Sequence, residues 1–174
     1  ERILYWKQQG IPVLACCTRC SLMLRQEYEE LFGEQAMKDA GENVYDAFEF
    51  LEMLDAEGKF NTNINAVKAR FLYHVPCHLK TQGIGTPAVS IFRRIPGAKV
   101  ELADVGCCGM SGNYGFKKDK YDISVRIGEK PFSRSKAAAA DGVICDCPAC
   151  RMEIRHGTQT DPVHPIEVLA KAYK

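Results

Sequence analysis

The sequence has no apolar run near the roughly 20 residues a helix needs to cross a bilayer, so no membrane span is expected. It has no excess of one charge: 23 lysines and arginines stand against 22 acids among 174 residues, and the two signs are well mixed. That balance argues against a nucleic-acid surface and against a polybasic membrane patch. No Gly-x-Gly-x-x-Gly run is present, so the chain is not expected to bind a flavin itself. No secretory leader is expected. The opening ERILYWKQQ reads as a helix already under way, and the expectation is a piece of a longer, cytoplasmic protein.

Cysteine is what the chain has in excess. Nine are present: Cys16, Cys17, Cys20, Cys77, Cys107, Cys108, Cys145, Cys147 and Cys150. The number is odd, and a hydrophobic content of 46% supports an ordinary core without covalent staples. A disulfide framework is therefore the weaker reading, and metal or redox chemistry the stronger.

Strand and helix signals alternate along the chain. Residues 11–15 (IPVLA), 70–75, 98–104 and 141–145 read as strands. Helical spacing appears over 20–32, over 44–57 with Val44, Ala47, Phe48, Leu51 and Leu54 on one face, and over 148–157. Thr86-Pro87 opens another helix and Pro96-Gly97 stops it. Residues 119–139 read as a helix interrupted near Gly128 and Pro131, and HPIEVLAKAY (164–173) as a closing helix. The fold class expected is α/β, a mostly parallel sheet with helices on both faces. Such sheets gather ligands beyond the carboxyl ends of their strands. Cys17, Cys77, Cys107-Cys108 and Cys147 each follow a strand, so all are expected at one edge of one sheet.

The segment VLACCTRCSLML (13–24) lies over VICDCPACRMEI (143–154) at a constant offset of 130 residues. Both are apolar strand, C-x-x-C, then amphipathic helix. This predicts a duplicated half-domain: residues 1–57 as the tail of a first, truncated copy, 58–69 as a linker, and 70–174 as a complete second copy.

Cys77, then 29 residues, then Cys107-Cys108, then 38 residues, then Cys147-x-x-Cys150 brings five thiols from three loops. A C-x-x-C at a helix start can place two thiolates on one metal centre, with free backbone N–H groups stabilising the anions. Gly106, Gly109 and Gly112 permit close approach of backbone to a bulky group. A single zinc uses four ligands, and five thiolates exceed that need. Neighbouring ligating cysteines suggest a cluster of metal atoms. A structural zinc domain using Cys147, Cys150 and two further cysteines stays open as the alternative.

HVPCHLKTQGIGTPAVSIFRRIPGAKVELADVGCCGMSGNYGFKKDKY together with VICDCPACRMEI and HPIEVLAKAY resembles the cysteine-rich, or CCG, domain family. That family occurs in heterodisulfide reductases and in iron–sulfur subunits of flavin-linked dehydrogenases. CCGMSGNYGFKK and HPIEVLA most resemble its members in anaerobic glycerol-3-phosphate dehydrogenases. The resemblance implies a [4Fe–4S] cluster, non-cubane in some members, held by Cys77, Cys107, Cys108, Cys147 and Cys150, with Cys17 and Cys20 as further candidates from the truncated copy. It implies electron transfer from a flavoprotein dehydrogenase subunit towards membrane quinone, with the membrane reached only through partners at the inner face. Disulfide reduction at the cluster is the other activity it implies. The ferredoxin-like run that precedes such repeats is absent from this sequence.

The remaining candidates have plainer readings. His78 is a loop histidine beside Cys77 that could donate to a cluster sulfur. His74 packs within a strand. His156 and His164 could be ligands, but capping or surface roles are the stronger reading. Lys117 and Lys118 either offset cluster charge or begin a solvated helix. Cys145 is a buried core thiol pointing away from Cys147, and Cys16 is ambiguous.

Overall fold

The computed structural model describes all residues, 1–174. Its helices are α1 (Arg2–Gln8), α2 (Thr18–Leu22), α3 (Tyr28–Phe32), α4 (Gln35–Gly41), α5 (Ala47–Ala56), α6 (Cys77–Thr81), α7 (Pro87–Phe92), α8 (Tyr121–Ala137), α9 (Pro148–Thr158) and α10 (Pro165–Ala172). The strands are β1 (Val13–Ala15), β2 (Val44–Asp46), β3 (Arg70–His74), β4 (Lys99–Ala103) and β5 (Gly142–Ile144). The α/β expectation holds: every strand pair is parallel, and helices carry the crossovers.

The expectation of a single sheet does not hold. Two sheets form, β1-β2 and β4-β3-β5. Cys17 therefore follows a strand of the smaller sheet, while the other three segments leave the larger one. The central strand β3 is buried on both faces, while the edge strand β4 is largely exposed. In β3, Phe71 and Tyr73 join a cluster with Phe48, Ile91, Phe92 and Leu169. Leu72, fully buried between them in sequence, joins Phe132, Val143 and Ile154 on the opposite face. This is the two-residue alternation of a strand with helices above and below. Burying a leucine side chain so completely contributes about 2 kcal/mol.

Two local expectations fail for physical reasons, and a third, the helix over 20–32, holds with a π-helical turn inside it. Val44 is not on a helix; it lies in β2, paired with Val13, and the helix begins only after Asp46. Asp46 is the cause, because its carboxylate accepts from Phe48 N and Glu49 reaches back to Asp46 N, a capping box. The 20–32 segment is α2, a π-helical turn over Met23–Glu27, then α3, with Gly33 closing it at φ +63°. Residues 121–137 form one helix through both Gly128 and Pro131. Packing overrides the breakers here: the Phe132 ring fills a slot in which a Cβ at Gly128 or Gly157 would collide with it. The absent side chains let α8 and α9 approach closely.

The two C-x-x-C segments have the same order of elements around them, although Cys20 is exposed and Cys150 buried. Cys17 and Cys147 are each the N-cap residue between a strand and a helix. Each unit then returns to a parallel partner: β1 pairs with β2, and Ile144 bridges Val163. Each return ends in a capping box, at Asp46 before α5 and at His164 before α10. The Phe48 and His164 rings stack with centroids 6.3 Å apart, so the two matching caps meet.

Candidate metal centre

β3, β4 and β5 run side by side and end at the same edge. The residues that follow them are Cys77 at the start of α6, the loop holding Cys107 and Cys108, and Cys147 at the start of α9. Parallel register thus sets three loops together that are distant in sequence.

The five thiols lie in series at this edge. Cys77 and Cys107 are near enough to shift each other's proton affinity, as are Cys107 and Cys108. Cys108 Sγ lies 3.1 Å from Cys150 Sγ. Cys150, one turn into α9, closes on Cys147. The series runs inward: Cys77 is exposed and Cys107 half-buried, while Cys108, Cys147 and Cys150 are buried.

The surroundings favour thiolate at two positions. The neighbouring Cys108 and Cys77 thiols, assisted by a hydrogen bond from Gly109 N at 3.3 Å, hold the Cys107 thiol far below its ordinary value. The Cys150 thiol pulls Cys147 down to about 6, with the free backbone N–H groups of Ala149 and Cys150 at the helix start acting in the same direction. Cys77 and Cys108 are driven upward, first by sharing their protons with Cys107. The thiolate is the form that binds metal.

The loop geometry explains its glycines. Gly109 has φ +99°, and a Cβ there would land on the Ser124 backbone carbonyl. Gly106 has φ +105° with nothing within 4 Å of where its Cβ would stand. A residue without Cβ is needed at Gly109 for space and at both for conformation.

The other sequence-derived candidates divide. Cys17 hydrogen-bonds to Cys20 and is raised mainly by burial; this pair stands at the β1-β2 sheet. Cys16 is exposed. His78 Nδ1 is 3.5 Å from Cys77 Sγ, so it joins the outer end of the site. His156 bonds to Tyr121 at the surface and His164 caps α10, in line with their plainer readings. Lys117 and Lys118 are exposed. Cys145 is fully buried, but it does not point away: its thiol donates to Cys147 O at 3.7 Å and contacts Cys150. β5 ends at Ile144, so strand alternation no longer governs the next residue.

Two features escape a reading of the sequence. Tyr73 donates to the buried Asp146, whose carboxyl is raised to about 7 mainly by burial. His74, only 2% exposed, closes β3 against the thiols, its ring forming a compact group with Cys108 and Cys150. Burial lowers its imidazole to about 4. A histidine at the last position of a strand, three residues before a cysteine, is the available signal.

Residues 71–155 match the family described as the cysteine-rich domain, CCG. These residues belong to the CCG family. The chain is 34% identical over 164 residues to a subunit of the anaerobic glycerol-3-phosphate dehydrogenase of Escherichia coli strain K12, covering 94% of this chain and 41% of that protein. It is 29% identical over 160 residues to a subunit of the fumarate reductase (CoM/CoB) of Methanothermobacter marburgensis, covering 90% and 30%. An uncharacterized iron-sulfur protein of Methanococcus maripaludis is 26% identical over 147 residues, covering 82% and 26%. The chain thus spans well under half the length of these relatives. No helix of the CCG domain or of the preceding segment is long and apolar enough to cross a membrane.

The donor set of the CCG domain suits an iron–sulfur group. It is mostly sulfur, with the His74 imidazole beside Cys108 and Cys150, it is too rich in thiols for one tetrahedral ion, and its Gly106 turn is open where a Cβ would stand.

Proposed function

We propose that this chain is an iron–sulfur electron-transfer module whose cluster is held by Cys77, Cys107, Cys108, Cys147 and Cys150. The observation that carries this reading is the Cys108–Cys150 pair, 3.1 Å between sulfurs, at an edge where Cys77, Cys107 and Cys147 also end up and shift one another's thiols. When bound, such a cluster stores and releases single electrons. The protein's own residues do the rest. The α9 start and Gly109 N neutralise thiolate charge at Cys147 and Cys107. Cys108, Met110, Cys145, Cys147 and Cys150 pack together and keep water from the inner end. Exposed Cys77 marks the side from which electrons enter or leave.

The identity to the glycerol-3-phosphate dehydrogenase relative supports a finer reading. The cluster is of [4Fe–4S] type, and the module serves an anaerobic dehydrogenase of that class. It takes electrons from a flavoprotein partner and passes them towards quinone, with the membrane reached through further partners. Residues 1–57 are the end of a first CCG repeat and 70–174 a second, joined by 58–69. The matching strand, C-x-x-C, helix and capping-box order supports this division. Stepwise reduction of anaerobically purified protein, followed by EPR, tests the function. A centre that gains and loses one electron reversibly is expected; a bound metal that never changes redox state overturns the reading.

A further inference from the structure

β3 ends at His74, three residues before Cys77, so the strand that presents a thiol also presents an imidazole. The side chain is 2% exposed, and neither Nδ1 nor Nε2 has a hydrogen-bonding partner among the protein's groups. A buried polar group without a partner calls for an explanation. What faces this one is sulfur: a His74 ring nitrogen, Cys108 Sγ and Cys150 Sγ all lie within 4.8 Å of one another.

We propose, resting on the iron–sulfur reading of the site, that His74 donates a ring N–H hydrogen bond to the sulfur of the centre at its buried Cys108–Cys150 end and so raises its reduction potential. Two points favour donation over iron ligation. Five thiols already supply the donor atoms. A ligating histidine almost always has its other N–H held by a carboxylate, carbonyl or water, and neither nitrogen of His74 has a protein group to hold it. A neutral imidazole carries one N–H and one lone pair. A buried N–H left idle is rarer than an idle acceptor, so the N–H is the group that must find sulfur. A hydrogen bond to cluster sulfur favours the more negative, reduced form, which moves the potential upward.

Pulsed EPR on the reduced protein, prepared anaerobically with 15N-labelled histidine, reads this contact directly. The expected result is a weak histidine-nitrogen coupling that disappears in His74→Leu. Iron content should be retained, while the midpoint potential moves to more negative values. His74→Gln keeps an N–H donor and is expected between wild type and the leucine variant. His78→Leu removes the histidine beside Cys77 and is expected to keep the coupling, so the assignment stands even where a His74 variant fails to fold; loss of the coupling in His78→Leu overturns it. A loaded wild type without histidine coupling, one with coupling as large as a ligand's, or identical potentials in wild type and both His74 variants overturns the His74 assignment alone. A wild-type protein that holds no iron and sulfide overturns the iron–sulfur reading and this assignment with it.

Discussion

The sulfur atoms of Cys108 and Cys150 lie 3.1 Å apart, although 42 positions separate them in sequence. Cys108 sits in a glycine-rich loop after β4 and Cys150 one turn into α9 after β5, so the parallel order β4-β3-β5 is what brings them together. The fold's contribution to the site is this juxtaposition, and each element of it can be perturbed separately.

Cysteine substitutions should separate ligands from neighbours. Cys108→Ser and Cys150→Ser are expected to reduce retained iron at least severalfold, as measured by elemental analysis after anaerobic purification. Exposed Cys16 is outside this series, and Cys16→Ser should leave iron unchanged. Cys145→Ala should also retain iron. It removes one small buried group, at a cost on the order of 1 kcal/mol visible in thermal melting.

Two glycines of one loop should respond differently. Gly106→Ala meets no atom within 4 Å, so its cost is the unfavourable φ of +105° alone, about 1–2 kcal/mol. Gly109→Ala has φ +99° and also drives its Cβ into the Ser124 carbonyl. Overpacking adds roughly 1–3 kcal/mol, and the displaced neighbour is Cys108. Urea unfolding should rank Gly109→Ala well below Gly106→Ala, and only the former should lose iron.

His164 makes stability depend on acid. Burial, then the nearby Arg151, lowers it from an ordinary 6.5 to about 4. Its neutral ring accepts from Ile166 N at 3.0 Å and so caps α10. Between these two values the unfolded chain binds a proton that the folded chain refuses, so the contribution is full above 6.5 and is lost as pH falls towards 4. His164→Asn keeps a capping oxygen without titrating. Melting curves at neutral and mildly acidic pH, with metal content matched, should show a smaller acid loss for this variant than for wild type.

Asp46 predicts the opposite slope. Its carboxyl is raised above 3.8 mainly by burial, against hydrogen bonds from the Phe48 and Glu49 backbone. The folded state holds this proton longer than the unfolded one, so the contribution fades as pH rises through and beyond that value. Asp46→Asn should therefore gain on wild type as pH rises from strongly acid to neutral. Asp46→Ala removes the cap of α5 and should lie about 1 kcal/mol below Asp46→Asn at every pH. Chemical denaturation of all three proteins checks both statements.

Much of the site is legible in the sequence because cysteine spacing and strand ends are local features. Cys77, Cys107-Cys108 and Cys147 each announce themselves by an apolar strand just before them, and the parallel order follows from alternating elements. What stays hidden depends on tertiary contact. That β1 pairs only with β2 cannot be read from its composition, which sets Cys17 beside thiols it does not meet. Val44 fits a helical face and an extended strand equally well; the Asp46 cap and the Val13 partner decide it. Gly128 and Pro131 look like breakers until Phe132 is seen lying against Gly128 and Gly157. His74 and Cys145 read as packing residues. They are buried, but what they pack against is sulfur, and no sequence pattern states the neighbour of a buried side chain.

The most direct test of the account is the iron and acid-labile sulfide content of the protein purified without oxygen. The five-thiol cluster predicts iron and sulfide together in near-equal amounts, lost when Cys150 becomes serine. One zinc per chain with no sulfide would contradict it.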